Sequence, residues 1–368
     1  GIFDEKPSGS DSRSRGAESF ARVRRREKRA VDSRPTMSTK LPQQYKIGLV
    51  GLGRWGKILF EYFKELEYVD LTAVTVRRLT SIEGFDLRGA QVYESMEQMF
   101  EVQQLDAVIV ATPPAQHLES TQMAAERGIH VFCEKPMAST VEDCEAMVEV
   151  CDKQKVKLFV GFKHRYAKAC VLVRNRLTEF GKPLWAMYTY PLWKVDDPGW
   201  KFKEGECSGI LLENAVHAID TLRYLLKADV IRIYAEGGTH RFETSYPDTA
   251  VFTLRLDNGA IASIGAGASS EEVISQEYLA INYENAVVQI WGKLDYPYNL
   301  RICTRDDNAV EEHTFEGSDG VREEIRHFIS CIQKDEQPLA TGRDGTEAVR
   351  VALGVLESVK TGNVVGVM

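Results

Sequence analysis

Three groups of residues in the 368-residue chain have types and spacing suited to chemistry. In GECSGILLENAVHAIDTLRYLL, Glu213, His217 and Asp220 stand at i, i+4 and i+7, so a helix would carry all three on one face. An imidazole beside a carboxylate is suited to general acid-base work near neutral pH. One His and one Glu on a helical turn lack the further ligands that zinc requires, so no metal is expected. The second group is Glu134-Lys135-Pro136 at the end of the apolar run Ile129 to Cys133. Pro136 fixes its own φ and pushes Lys135 toward an extended conformation. The third is Gly51, Gly53 and Gly56, spaced as a dinucleotide fingerprint. Gly51 permits a tight turn, Gly53 lets backbone approach a pyrophosphate, and Gly56 lets a helix close on a sheet.

These groups need elements to position them. Ile47, Leu49 and Val50 form a short apolar strand before the glycines, and Ile58, Leu59, Tyr62 and Phe63 recur at helical spacing after them. Val69 to Arg78 reads as the next strand, followed by Gln91 to Tyr93, Asp106 to Ala111, Ile129 to Cys133 and Lys157 to Phe162, with helices between. Active groups in such open parallel sheets lie beyond the carboxyl ends of strands, where Thr112, Pro113, Glu134 and Lys135 fall. At the end of the second strand, an Asp or Glu would select a free adenosine ribose. The chain has Arg77 and Arg78 there, which suits a 2′-phosphate, so NADP(H) is expected over NAD(H).

Beyond residue 183 the texture changes. Strand-like stretches at Pro183 to Tyr190, Val230 to Tyr234, Ala250 to Leu256, Ala260 to Ile264, Tyr278 to Tyr283 and Ala286 to Trp291 predict a largely antiparallel sheet with helices on one side. Several of these stretches are apolar on both alternating faces, which predicts a sheet covered by a second copy of the chain. Two helices close the sequence, over GVREEIRHFISCIQ and DGTEAVRVALGVLESVKTG.

Composition bounds the rest. Net charge of -8 argues against a general nucleic-acid binder, and 43% apolar residues are enough for two domains. Seven cysteines with no CxxC pair read as reduced thiols of a cytoplasmic protein, and no apolar run is long enough to span a membrane. The first forty residues carry 11 Lys/Arg against 6 Asp/Glu with little to bury, and are expected to be a disordered arm. Leader or upstream translated sequence is the plainest reading of it, with Met37 as an original start; a basic contact surface and a targeting peptide are alternatives.

Taken in order, GLGRWG, ATPPAQH, CEKP, VGFKHRY and the helix holding Glu213 and His217 resemble the Gfo/Idh/MocA family of NAD(P)-dependent oxidoreductases over roughly residues 45 to 365. The resemblance implies an α/β chain: an N-terminal Rossmann domain (43–164) and a C-terminal α+β domain (165–368) on a large open, mostly antiparallel sheet, with the last helix packing back on the first domain. It implies hydride transfer to or from a sugar, inositol or related polyol, and a homodimer or tetramer built through the C-terminal sheet. Lys135 would orient the substrate and His217 would act as acid and base, assisted by Glu213. The cofactor set would be Gly51, Gly53, Arg54, Trp55, Gly56, Arg77, Arg78, Thr112, Pro113, His117, Glu134 and Lys135. His164, Arg165, Tyr166 and Trp193 would join Lys135, Glu213 and His217 on the substrate side, with Lys194, Asp196, Asp197 and Trp200 nearby. Lys163 stands where the family often has Asn, Glu213 where Asp is usual, and Ala215 where Gly is common. Two rival readings are a reductase of a planar conjugated carbonyl compound and a catalytically silent cofactor sensor or scaffold.

Overall fold

The computed structural model describes residues 44–191, 199–203, 206–268, 277–292, 298–305, 308–317 and 319–367. The expected arm, 1–42, lies outside them, as do Trp193, Lys194, Asp196 and Asp197 and the side chain of Trp200.

The first half alternates strand and helix: β1 (Tyr45–Val50), α1 (Arg54–Lys64), β2 (Val69–Thr75), β3 (Gln91–Tyr93), α2 (Met96–Val102), β4 (Ala107–Val110), α3 (His117–Ala125), β5 (His130–Cys133), α4 (Val141–Gln154) and β6 (Leu158–Val160). The six strands are parallel in the order 3-2-1-4-5-6, the doubly wound arrangement of dinucleotide-binding domains. Ile47, Leu49, Ile109 and Phe132 are fully buried on one face of it, and Val108, Val110 and Val131 on the other, as a sheet covered by helices on both sides requires. Thr140 accepts from the backbone N–H of Asp143 and so starts α4.

A short 3-10 turn, Lys163–Tyr166, leads out of this sheet into α5 (Lys168–Asn175) and α6 (Leu177–Phe180), which are separated at Arg176. Then come β7 (Pro183–Pro191), α7 (Ile210–Leu226), β8 (Val230–Gly238), β9 (Thr249–Leu256), β10 (Ile261–Gly267), β11 (Glu277–Tyr283), β12 (Ala286–Gly292), β13 (Tyr298–Thr304), β14 (Val310–Phe315), α8 (Asp319–Lys334), α9 (Gly342–Thr361) and β15 (Val365–Gly366). The second sheet has nine strands in the order 14-13-12-11-7-10-9-8-15. Every pair is antiparallel except β7 with β10.

Helix α7 is buried along its whole length except at Asn214, with a polar stripe of Glu213, His217, Asp220 and Thr221 on an otherwise largely apolar surface. It begins at Gly209, whose φ of 99° and lack of a side chain let Tyr246 pack where a Cβ would lie 2.7 Å from the Tyr246 Cβ. Helix α8 returns to the first sheet, where Phe328 meets Phe63, Phe132 and Phe159 edge-on. The opposite, outward face of the second sheet leaves Trp185, Met187, Val251 and Ile261 between 43% and 60% exposed.

Candidate active site

The glycine turn joins β1 to α1. Gly51 has a φ of 96°, and a Cβ on Gly56 would stand 2.1 Å from the carbonyl oxygen of Gly51, so this crossing tolerates no side chain. A Cβ on Gly53 would meet nothing within 4 Å. Gly53 and Arg54 are exposed, and the first backbone N–H groups of α1 have no side-chain cap, so the turn presents an open cradle with the charge preference of a helix N-terminus. Strand β2 ends at Thr75, earlier than expected, which leaves Arg77 and Arg78 exposed just beyond its carboxyl end.

Thr112 and Pro113 follow β4, half-buried, and Thr112 Oγ1 has no hydrogen-bond partner among the described residues. His117 is not a surface ligand. It is 1% exposed, with Nε2 2.7 Å from the Thr112 carbonyl and Nδ1 near the Met137 carbonyl and the Cys133 thiol. Burial holds its ring below the ordinary histidine range, hence neutral, against the raising effect of those carbonyls. His117 therefore fixes the loops after β4 and β5 from behind.

After β5, the Trp55 indole donates to Glu134 Oε1 at 2.6 Å, and the backbone N–H of Lys135 donates to Oε2. Burial pushes Glu134 up, opposed by the charge of Lys135 and by the Trp55 hydrogen bond. The Lys135–Pro136 peptide is cis. Lys135 Nζ donates to both the carbonyl oxygen and Oε1 of Glu213, at 3.0 Å each. Lys201, in the short turn Gly199–Phe202, approaches Oε2 of the same carboxylate at 3.3 Å, and Asn214 donates to it as well. Burial alone would raise Glu213, but the two lysines and their hydrogen bonds outweigh it and hold the carboxyl at about 2.

His217, one turn on, is 4% exposed and stacks on His164 with ring centroids 4.8 Å apart. Its Nδ1 has no hydrogen-bond partner among the described residues. Burial first, then the charge of Lys135, drives its pKa well below the usual 6.5, so the ring is a neutral base. Glu213 was expected to assist His217. The structure gives both Glu213 oxygens to lysines instead, because at i and i+4 the carboxylate meets the cations that cross from β5 and from the turn before α7.

Arg165 and Tyr166, both expected on the substrate side, have their polar ends engaged within the protein. The Arg165 guanidinium holds Asp220 by two hydrogen bonds, at 2.9 and 2.6 Å, reaches Asp344 at 2.9 Å and donates to the Leu339 carbonyl. Tyr166 packs on Phe159 and meets His327 Nδ1 at 2.9 Å. Both polar ends are consumed in joining α7, α8 and α9 to the first sheet. Lys201 was missed as a site residue; only its basic charge in an aromatic-rich stretch hinted at it.

The site therefore combines an open glycine cradle, a lysine at a strand end and a buried neutral histidine on a helix from the second sheet. Residues 45–162 match an oxidoreductase family with an NAD-binding Rossmann fold, and residues 173–282 match the GFO/IDH/MocA C-terminal domain. The chain belongs to the Gfo/Idh/MocA family. Among curated members, a scyllo-inositol 2-dehydrogenase (NAD(+)) of Bacillus subtilis is 25% identical, over 88% of this chain and 96% of that protein. D-xylose 1-dehydrogenase [NADP(+)] of Haloarcula marismortui is 28% identical, over 70% of this chain and 73% of its own. The aldose-aldose oxidoreductase of Caulobacter crescentus shares the Gfo/Idh/MocA fold with a TM-score of 0.77 at 22% identity, covering 88% of this chain and 100% of its own. As in that family, the two sheets here form a nucleotide-binding lobe and a mixed-sheet lobe, and the chain is an oxidoreductase.

Proposed function

We propose that the chain moves a hydride between NADP(H), in preference to NAD(H), and a carbinol or carbonyl carbon of a sugar, inositol or related polyol. The observation that carries this reading is the meeting of Lys135, Glu213 and neutral His217 beyond the carboxyl end of β5, a strand of the same sheet whose β1 leads into the open glycine cradle. The space over Gly53 and the unpartnered Thr112 Oγ1 suit a bound dinucleotide; Gly51, Gly53, Gly56, Thr112 and Pro113 would hold it, with Arg77 and Arg78 on an adenosine 2′-phosphate. When bound, the nicotinamide supplies the hydride chemistry. Lys135 keeps one ammonium donor beyond the two that Glu213 accepts, and directs it at the reacting oxygen to favour its developing negative charge. His217, whose buried Nδ1 has no hydrogen-bond partner among the described residues, takes the hydroxyl proton in oxidation and returns it in reduction.

Absorbance of the reduced cofactor against a panel of sugars, inositols and aromatic carbonyl compounds tests this directly. Turnover of a sugar or inositol supports it; turnover of only planar carbonyl compounds, or tight cofactor binding with no turnover, would replace it. The exposed apolar face around Trp185, Met187, Val251 and Ile261 further supports a homodimer, or a tetramer of such dimers, formed sheet against sheet. Light scattering that gives a monomeric mass at micromolar protein would refute that assembly. The seven free cysteines are in keeping with a cytoplasmic enzyme; among the described residues, no helix is long and apolar enough to cross a membrane.

A further inference from the structure

We propose that Trp55 is a positioning residue of the hydride-transfer site: through the Glu134 carboxylate it fixes the main chain of Lys135 to the glycine turn, and so sets the lysine against whatever that turn holds. This rests on the functional reading above and deepens it. Trp55 is the second residue of α1, whose N-cap is Gly53. Its indole N–H donates to Glu134 Oε1 at 2.6 Å, and the other oxygen of that carboxylate accepts the backbone N–H of Lys135 at 3.1 Å. One buried side chain thus joins the first turn of α1 to the residue whose ammonium reaches Glu213.

The carboxylate has little room to lie elsewhere. The backbone N–H of Glu134 donates to the Val110 carbonyl at the end of β4, and that of Gly161, just past β6, donates to the Cys133 carbonyl. A Cβ on Gly161 would stand 3.0 Å from Glu134 Oε1 and 3.2 Å from Oε2, so the chain has no side chain where the carboxylate packs. The Lys163 ammonium lies over the Trp55 ring, 4.8 Å from its centre. A hydrogen bond is directional, so the pair of them on Glu134 transmits position where apolar contacts would slide. Lys135 is held at both ends, by Glu134 at its main chain and by Glu213 at its ammonium. A misplacement of about 1 Å at a reacting centre can cost on the order of 10²-fold in rate.

The test uses the full chain and two variants: Trp55→Phe, which keeps a ring and removes the N–H, and Glu134→Gln. Trace labelling with acetic anhydride, read lysine by lysine in peptide mass spectrometry, reports how firmly Lys135 is held. Both variants should label Lys135 about threefold faster or more, with distant lysines such as Lys157 and Lys334 unchanged. With the sugars and inositols named above, kcat for Trp55→Phe should fall about tenfold while the Kd for NADPH changes by less than about threefold. The double variant should lose no more than the larger single loss, because both substitutions break one chain of hydrogen bonds. Unchanged Lys135 labelling overturns the proposal, and so does faster labelling at every lysine, or faster Lys135 labelling with full kcat. If one variant does not fold, the other carries the same test. If the unmodified chain turns over no sugar or inositol, the hydride-transfer reading falls, and labelling alone decides whether Trp55 fixes Lys135.

Discussion

Lys135 Nζ lies 3.0 Å from both the side-chain Oε1 and the main-chain oxygen of Glu213, so a strand end of one lobe is locked to the first turn of a helix in the other. The double contact sets where the ammonium points, and the carboxylate keeps a charged lysine tolerable at 12% side-chain exposure.

Replacing Glu213 with Gln keeps the shape and removes the charge. We expect kcat to fall by roughly 10- to 100-fold, with Lys135→Ala and His217→Ala each losing roughly 10²-fold and cofactor affinity changing little in all three. Steady-state kinetics with separate cofactor titration measures this. A Glu213→Gln enzyme with unchanged kcat would show that the ion pair has no part in turnover.

Arg77 and Arg78 stand exposed beyond β2. Arg77→Asp should cut the preference for NADP(H) or reverse it, by removing one charge-assisted contact and adding repulsion. Dissociation constants for both cofactors, by fluorescence titration, decide the point; equal or tighter NAD(H) binding by the unmodified protein would defeat it.

Stability should fall with acid in two stages. His117 and His217 are held below their ordinary 6.5 in the folded chain, His217 far below. Between that value and the depressed ones the unfolded chain binds more protons, so their contribution is full above about pH 6.5 and declines below it, by at most about 1.4 kcal/mol per pH unit for each ring. Glu213, held at about 2 against an ordinary 4.5, keeps its contribution above 4.5 and loses it as pH falls through that window toward 2. Urea unfolding from pH 8 to pH 5 should show the first stage, with a shallower slope in His217→Asn; a flat profile would contradict the buried neutral rings.

Asp220→Asn should be strongly destabilising, by about 3 kcal/mol or more, because it strips charge from a buried pair and leaves Arg165 leaning on Asp344 alone. Replacing Arg165 and Asp220 together with apolar residues of similar volume should recover much of the loss. Denaturant midpoints of the two variants would test both statements, and a near-neutral Asp220→Asn would show that the network contributes little.

Local order was legible where a few neighbouring residues encode it. The glycine turn, the strand before it and the long buried helix α7 all follow from short-range patterns, and so do the strands at 250–256 and 286–291. Strands β13 and β14 were not expected. Val310–Phe315 reads VEEHTF, with charged and polar residues in place of an apolar alternation, because it lies at the sheet's edge, where charge discourages further pairing. Tyr298–Thr304 does alternate, with Tyr298, Leu300 and Ile302 inward and Asn299 and Arg301 on the other face. The site's partners were harder. Glu213, His217 and Asp220 share a helix as expected, yet what each one meets is set by residues 78, 53 and 55 positions away, Lys135, His164 and Arg165, and spacing along one helix says nothing of them.

The clamp around Arg165 also bears on motion. Bending between two lobes needs a connecting segment that can change its backbone angles while little else crosses. Here the first turn of that connection is pinned by Arg165 to α7 and, through Asp344, to the cap of α9, whose Thr341 bridges back to Phe159 in β6. Swinging the lobes apart would expose a buried guanidinium and two carboxylates to a gap that offers them nothing in return. The connection between the two sheets is accordingly stiffened at its first turn.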